Sequence, residues 1–264
     1  MIRIKTKEEI EQMRFAALLV GKTLAEVSTH IEPGVSTETL DSLAEDFIRS
    51  HGAIPTFKGY GGFPASLCIS VNENVVHGIP GKRQIKQGDV VSIDCGCTLN
   101  GWVGDSAYTF AVKGIKQEDA QLLKVTKESL YRGIEVCTIG HRLGDIGFAI
   151  QSYCESFGYG VVRELCGHGV GCVMHEEPSV LNYGRKGTGT KLREGMTIAI
   201  EPMITLGNKE IVFHSDGWTC TTVDNSNAAH FEHDVAITKN GPVILSSFEE
   251  IENAIKKNNN LEVI

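Results

Sequence analysis

The chain of 264 residues has no apolar run near the roughly 18 residues that a membrane-spanning helix needs. Its first twenty residues include Arg3, Lys5, Lys7 and Glu8, which excludes the apolar core of a secretory signal. Basic residues do not dominate either: 25 Lys and Arg stand against 33 Asp and Glu, giving a net charge of −8. This balance disfavours nucleic acid and anionic membranes as partners. We therefore expect a soluble cytoplasmic protein with no direct nucleic-acid partner and no membrane partner.

Cysteine is scarce for a disulfide-stabilised protein, with eight residues in the whole chain. Reduced thiols are the better interpretation at this density. The pairs Cys95/Cys97 and Cys166/Cys172 leave a thiolate zinc site open. A cysteine is nevertheless more often a small buried apolar side chain than a metal ligand.

Two common functional motifs are also missing. No Gly-Lys-Ser or Gly-Lys-Thr follows the glycines of residues 167–171, which excludes a phosphate-binding loop. Ser179 stands where a helical zinc-protease motif beginning at His175 requires its second histidine. The function must therefore come from another arrangement of residues.

The order of helix and strand signals occurs twice along the chain. A capping box formed by Thr6 and Glu9 predicts a helix that ends before Pro33, and further helices are predicted over 36–50, 118–131 and 142–157. A shift of 106 residues aligns these patterns in the two parts of the chain. No Pro- or Ser-rich linker separates them. We expect one domain over 1–264, with similar halves at about 1–112 and 113–245 and a frayed tail at about 256–264.

Two carboxylates lie in a predicted β-hairpin. β-Rich segments at 90–98 and 103–110 flank Asn100-Gly101, a strong hairpin signal. With a two-residue turn, Asp94 lies opposite Ala107, so Asp94 and Asp105 are diagonal neighbours on one face, roughly 7–8 Å apart. Such a pair needs a proton or a cation between its charges, unless both are solvated surface acids. Their apolar flanks favour a metal or acid–base site.

Three further candidate ligands follow downstream. His168 lies among the glycines of 167–171, where a histidine in an ordinary turn is an equally good interpretation. Glu201 ends an apolar strand, and Glu232 lies in a second apolar segment; a lone buried Glu is costly unless it is paired. If these residues converge with the Asp pair, four carboxylates require about two divalent cations for neutrality. Oxygen ligands with one imidazole suit Mn²⁺, Fe²⁺ or Co²⁺, and Zn²⁺ also fits.

Taken together, these motifs resemble those of type I methionine aminopeptidases of the simple bacterial kind, over essentially the whole chain. The matching segments, in order, are 72–80, 92–94, 104–105, 167–171, 175–178, 201–203 and 232–233. The resemblance implies the α/β (α+β) pita-bread fold, with helices packed on a curved antiparallel sheet in two pseudo-symmetric halves. It also implies removal of the initiator methionine from nascent proteins and peptides when the second residue is small, by attack of a metal-activated water on the scissile carbonyl.

The resemblance assigns roles to individual residues. It implies that two divalent ions (Co, Mn, Fe(II) or Zn) are held by Asp94, Asp105, His168, Glu201 and Glu232, and that a monovalent cation can bind near Asn72 and Asn74. The implied catalytic residues are His77, His175 and Glu201. The implied substrate-binding residues are His77, His175, Tyr60, Phe63, Cys68, Met174 and Trp218. Without the resemblance, ordinary core would be the favoured interpretation of each of the last five. Expected partners are peptides or nascent chains with N-terminal Met, including chains at the ribosome, for a monomeric enzyme.

Two rival interpretations remain at this point. Proline-specific peptidases share the fold, but they typically carry an additional N-terminal domain, whereas the first predicted helix begins near Thr6. A binding module of this fold without catalysis would usually lack ligand residues. Here the full ligand set is present, which favours the enzyme.

Overall fold

The computed structural model describes residues 1–264 and contains five α-helices. They are α1 (Lys7–Ser28), α2 (Thr37–Ser50), α3 (Gln117–Glu135), α4 (Leu143–Glu155) and α5 (Glu249–Ile255). The capping box is present: Thr6 Oγ1 accepts the N–H of Glu9, and the Glu9 carboxylate accepts the N–H of Thr6. The helix predictions are confirmed to within a few residues at their ends.

Sixteen short strands make up the rest of the regular structure, with a 3₁₀ turn over Tyr60–Gly62. The strands are β1 (Ile54–Pro55), β2 (Leu67–Val71), β3 (Asn74–Val76), β4 (Val90–Leu99), β5 (Trp102–Val112), β6 (Gly160–Val161), β7 (Gly167–Gly169), β8 (Glu176–Val180), β9 (Thr197–Ile200), β10 (Met203–Thr205), β11 (Ile211–Phe213), β12 (Cys220–Thr222), β13 (Ala228–His230), β14 (His233–Thr238), β15 (Gly241–Ile244) and β16 (Leu261–Glu262). Every ladder between these strands is antiparallel.

Two larger sheets dominate the topology. One has the order β1-β4-β5-β16 with β2 also paired to β4, and the other has the order β15-β14-β9-β7-β8. Two three-stranded sheets, β13-β10-β6 and β11-β12-β3, complete the fold. A continuous apolar cluster that includes Leu24, Ile93, Phe110, Leu122 and Ile198 lies between the helices and the sheets. Helices therefore cover the sheets, as expected.

The predicted hairpin has the predicted register. Leu99 pairs with Trp102 across the turn, and Asp94 pairs with Ala107. Asn100 and Gly101 both adopt positive φ, at 52° and 81°, the conformation that favours Asn-Gly in a two-residue turn. Asp94 and Asp105 consequently face the same side of the sheet as diagonal neighbours.

The two larger sheets meet along β5, and we call the contact between β5 and residues 230–234 the seam. Here the Glu232 N–H donates to the Ala107 carbonyl at 3.0 Å, and the His230 N–H donates to Thr109 Oγ1 at 2.9 Å. Glu232 occupies the break between β13 and β14, so its side chain is not part of a regular strand face. The seam brings this residue beside β5, although the two segments are distant in sequence.

The C-terminal tail, expected from the sequence to be frayed at 256–264, makes defined contacts with the rest of the fold. The side chain of Asn258 donates to the carbonyls of Ser28 (2.8 Å) and Ile31 (2.9 Å) at the end of α1. Leu261 then pairs with Val112 on β5 and is buried. The polar tail is fixed because it satisfies helix-end carbonyls and extends a sheet. None of the helices combines the length and the apolar character needed to span a membrane.

Candidate metal centre

One cavity contains all twelve catalytic, metal-binding and substrate-binding residues assigned from the sequence. Its walls are formed by Phe57, Tyr60, Phe63, Cys68, His77, Asp94, Asp105, His168, Met174, His175, Glu201, Trp218 and Glu232. Phe57 is the thirteenth wall residue, beside the twelve that were given roles above. It lies in a Gly- and aromatic-rich loop, and Gly96 leaves space for its ring, which a Cβ would overlap. A wider cleft between α3 and α4 contains none of the predicted residues.

The acidic side of the cavity is built from five different segments. Asp94 and Asp105 come from β4 and β5, His168 from β7, Glu201 from the end of β9, and Glu232 from the seam. Ligand atoms of Asp105, His168 and Glu232 all lie within 4.8 Å of one another. Glu201 borders this tight group, with its Oε1 atom 3.6 Å from His168 Nε2, and Asp94 lies in the same cavity.

Burial of these acids without a cation disturbs their ionisation. Burial, reinforced by the nearby Asp105 charge, raises the pKa of Asp94 and of Glu232 well above the usual range. Burial would also raise the pKa of Glu201, but the His230 and His168 side chains outweigh it and hold this pKa below its usual value. Although burial opposes a charge on His168, Asp105 and Glu201 raise its pKa to about 9. Without a metal, protons on Asp94, Glu232 and His168 therefore reduce the repulsion between the buried carboxylates. A divalent cation would do the same in their place.

The cluster fits a divalent metal, because several of its buried carboxylate oxygens lack a hydrogen-bond donor. Three buried carboxylate oxygens, Asp94 Oδ1, Asp105 Oδ1 and Glu232 Oε1, have no hydrogen-bond partner. Leaving such an acceptor without a donor is costly, so a cation is the expected partner. His168 Nδ1 lies 2.9 Å from the Gly169 carbonyl, an acceptor, which places a proton on Nδ1. Nε2 faces the carboxylates, and its lone pair becomes available when a cation displaces the proton held there. This is the usual arrangement of a histidine ligand.

Two further histidines line the cavity beside the acidic cluster. His175 Nδ1 lies 2.8 Å from the Tyr60 hydroxyl, and its ring centroid is 4.3 Å from that of His168. Burial, then the neighbouring His168, lowers the pKa of His175 to about 4, and burial also lowers the pKa of His77. Both rings are neutral at pH 7, so each offers one N–H and one lone pair.

The remaining wall is apolar and rich in aromatic and sulfur groups. Phe63 and Trp218 form an edge-to-face pair with centroids 5.1 Å apart, and both belong to a cluster with Phe57, Cys68 and Met174. Burial, then the Asp94 charge, raises the pKa of Cys68 well above the usual value, so its sulfur is an uncharged thiol. Such a wall suits a flexible apolar side chain, above all a thioether.

The thiolate alternative finds no support in the geometry. Cys95 and Cys97 are buried in the apolar cluster beneath the sheet, where burial raises the pKa of both thiols. The group of potential ligands close enough to hold a metal contains no cysteine. These cysteines are core residues.

Comparison with known proteins identifies the family. Residues 11–239 match the model of metallopeptidase family M24. The chain is 56% identical to the methionine aminopeptidase of Clostridium acetobutylicum over 250 residues, which cover 94% of this chain and 100% of that protein. The chain belongs to the methionine aminopeptidases of family M24. Methionine aminopeptidase 1 of Bacillus subtilis is another member, 50% identical over 93% of this chain and 99% of its own length.

Solved structures of family members show the same architecture. The crystal structure of methionine aminopeptidase from Rickettsia prowazekii is 46% identical and superimposes with a TM-score of 0.92, covering 94% of this chain and all of that chain. The Thermotoga maritima enzyme gives the same values. An Xaa-Pro dipeptidase from Bacillus anthracis, at 22% identity and a TM-score of 0.74, shares the fold, with 92% of this chain matching 62% of that one. The pita-bread fold expected from the sequence is confirmed, and membership of a metallopeptidase family brings dependence on divalent metal.

Proposed function

We propose that this protein removes the N-terminal (initiator) methionine from nascent proteins and peptides whose second residue is small. The observation that carries the proposal is the shared cavity: a cluster of acids and histidines with unsatisfied oxygens lies against an aromatic, sulfur-containing wall. The first part suits hydrolysis assisted by metal, and the second suits a methionine side chain. High identity to methionine aminopeptidases over the whole chain supports the same reaction.

We assign two divalent ions, Co²⁺, Mn²⁺, Fe²⁺ or Zn²⁺, to Asp94, Asp105, His168, Glu201 and Glu232. The carboxylates of Asp94, Asp105, Glu201 and Glu232 would hold the ions together with the imidazole of His168. Four carboxylates then balance two dipositive ions, which accounts for a cluster that is otherwise strongly self-repelling. When bound, the ions supply Lewis-acid polarisation of the scissile carbonyl and lower the pKa of a water molecule.

The protein's own groups then handle protons and orientation. Glu201 has its pKa held low, so it is ionised and able to take a proton and pass it to the leaving amine. His175 donates an N–H to the scissile carbonyl oxygen as negative charge develops there. His77 hydrogen-bonds the backbone nitrogen of the substrate. The methionine side chain lies against Phe63 and Trp218, where it is shielded from water.

The substrates in this proposal are peptides and nascent chains with N-terminal Met, including chains emerging from the ribosome in the cytoplasm. We also propose that the protein acts as a monomer. A monovalent cation near Asn72 and Asn74 belongs to the same proposal.

The test is methionine release from a Met-Ala-Ser peptide by chelator-treated protein, with each divalent ion added back singly. We expect release to return with metal and to be absent from Met-Leu-Ser, whose second residue is bulky. Preferential cleavage of an Xaa-Pro peptide would instead assign the proline-specific activity. A folded, metal-loaded sample that releases no methionine would contradict the proposal.

A further inference from the structure

Two adjacent histidines in the cavity have different hydrogen-bond partners at the same ring nitrogen. Nδ1 of His168 lies 2.9 Å from a carbonyl, that of Gly169, which can only accept. Nδ1 of His175 lies 2.8 Å from the hydroxyl of Tyr60, which can donate. The ring centroids are only 4.3 Å apart. The protonation of the two Nε2 atoms therefore depends on these different partners of Nδ1.

The Tyr60 hydroxyl has no other partner in the protein, and neither has the second ring nitrogen of His175. A phenol is a good donor but a weak acceptor, because its oxygen lone pair is conjugated with the ring, whereas a neutral imidazole nitrogen is a good acceptor. The favoured pairing therefore has Tyr60 donating to Nδ1 of His175. The single proton of the neutral imidazole must then lie on Nε2.

Local backbone structure holds Tyr60 in place for this contact. The segment is a tight turn in which the Tyr60 N–H donates to the Phe57 carbonyl at 3.0 Å and the Phe63 N–H donates to the Tyr60 carbonyl at 2.9 Å. Gly59 and Gly61 adopt positive φ, at 87° and 55°, which the turn requires. These contacts fix the backbone from which the Tyr60 side chain projects toward His175.

On the other side, the residue after His175 is fixed. The Glu176 carboxylate pairs with Lys5 at 2.6 Å and also accepts the Cys172 N–H at 3.1 Å. The Lys5 side chain is 1% exposed, so this ion pair is shielded from water. Tyr60 and His175 are therefore brought together by two separately anchored loops.

We infer that Tyr60 is a positioning residue that fixes His175 as the Nε2–H tautomer, opposite to His168. His168 presents its Nε2 lone pair to a cation bound in the acidic cluster, while His175 presents a donor to the substrate carbonyl. This role goes beyond that of a wall of the methionine pocket. The catalytic consequence of this role rests on the proposed function. The assignment of the tautomer does not depend on it.

The deciding experiment compares Tyr60→Phe with the wild type by ¹⁵N NMR of the imidazole nitrogens. Spectra are recorded on the full chain after chelator treatment and again with diamagnetic Zn²⁺. We expect the wild-type His175 signals to show a protonated Nε2 and a hydrogen-bonded, unprotonated Nδ1. Removal of the hydroxyl should give a mixture of tautomers, while the His168 signals keep their assignment.

Kinetics on Met-Ala-Ser separate positioning from substrate binding. Phe keeps the aromatic ring, so we expect kcat to fall about tenfold and KM to change less than about twofold. The matched control is Tyr159→Phe, which removes a hydroxyl that makes no hydrogen bond from a half-buried ring near the start of α3, outside the cavity. This variant should change neither constant.

Three results would overturn the inference: a wild-type proton on Nδ1, an unchanged His175 tautomer in Tyr60→Phe, or a rise in KM at constant kcat. The last would make Tyr60 only a pocket wall. If the wild type releases no methionine, the proposed function fails, and the spectra still decide the tautomer.

Discussion

Asp105 donates its backbone N–H to Oδ2 of Asp234 at 2.8 Å, with both residues buried. The contact crosses the seam from β5 to β14, so a carboxylate from one sheet fixes the backbone of a candidate ligand in the other. Asp234 Oδ1 has no partner, and burial, then Asp105, raises the Asp234 pKa well above its usual range. Burying the Asp234 carboxyl therefore costs stability. Its contact with the Asp105 N–H indicates that it positions this candidate ligand.

Replacing Asp234 tests whether the acceptor organises the centre. Asp234→Ala leaves the Asp105 N–H without a partner, so we expect divalent-ion affinity to fall by about 10–100-fold. Stability should also fall by about 1–3 kcal/mol. Calorimetric metal titration and denaturant unfolding measure the two effects. Asp234→Asn keeps an acceptor oxygen and should recover most of the affinity; equal loss in both variants would contradict the assignment.

Asp94 is expected to be essential for metal binding and dispensable for folding. Asp94→Asn removes a chelating charge from the cavity while keeping the size of the side chain. We expect loss of at least one bound ion by calorimetry and loss of methionine release, with the melting temperature of the metal-free protein retained. Asp46→Asn, at an exposed position on α2, is the control. An active Asp94→Asn variant would remove Asp94 from the ligand set.

Metal should stabilise the protein more strongly as pH rises from 7 to 9. Asp94 and Glu232 have raised pKa values and the pKa of His168 is about 9, so the metal-free native state binds more protons than the unfolded chain. Its free energy of unfolding therefore falls as pH rises, whereas a bound cation replaces those protons.

Calorimetric melting with chelator and with Mn²⁺, at pH 7, 8 and 9, measures the difference in melting temperature between the metal-free and the metal-loaded protein. This range avoids the opposite effect of His233, whose pKa burial lowers to about 3 and which destabilises the fold only below about pH 6.5. If this difference in melting temperature became smaller toward pH 9, protons would not be competing with metal at this cluster.

Gly104 marks the closest approach of β5 to α1. A Cβ at this position would collide with the backbone of Ala16 and Ala17, which cannot move aside as a flexible side chain would. We expect Gly104→Ala to lower the free energy of unfolding by about 1–3 kcal/mol or more. Gly81→Ala is the matched control, because its Cβ meets nothing within 4 Å and its φ is not positive. Equal stability of the two variants in urea would show that α1 and β5 can separate without cost.

The sequence was most informative where local rules determine geometry. The hairpin register followed from Asn100-Gly101 and a period of two, so the relation of Asp94 to Asp105 could be worked out before the structure. Thr6 and Glu9 likewise set the start of α1. The convergence of these aspartates with Glu201 and Glu232 came from the family resemblance, because no local pattern brings distant segments together.

What the sequence did not reveal depends on contacts between distant segments. Asp234 looks like an ordinary polar residue after Glu232, and only the seam shows that it is buried against Asp105. Asn258 belongs to a polar run typical of disorder, but its amide meets two helix-end carbonyls some 230 positions earlier. Such pairings cannot be inferred from either partner's neighbours.

The seam also has a consequence for how the protein is made. More than half of the chain separates Asp94 from Glu232, and β16, near the last residue, closes an edge of β5. Contacts between such distant segments form late, since a long loop must close before they contribute. A chain interrupted before the seam is made therefore contains Asp94 and Asp105 but lacks Glu232. The cluster of ligands can therefore assemble only after the segment that contains Glu232 has been translated.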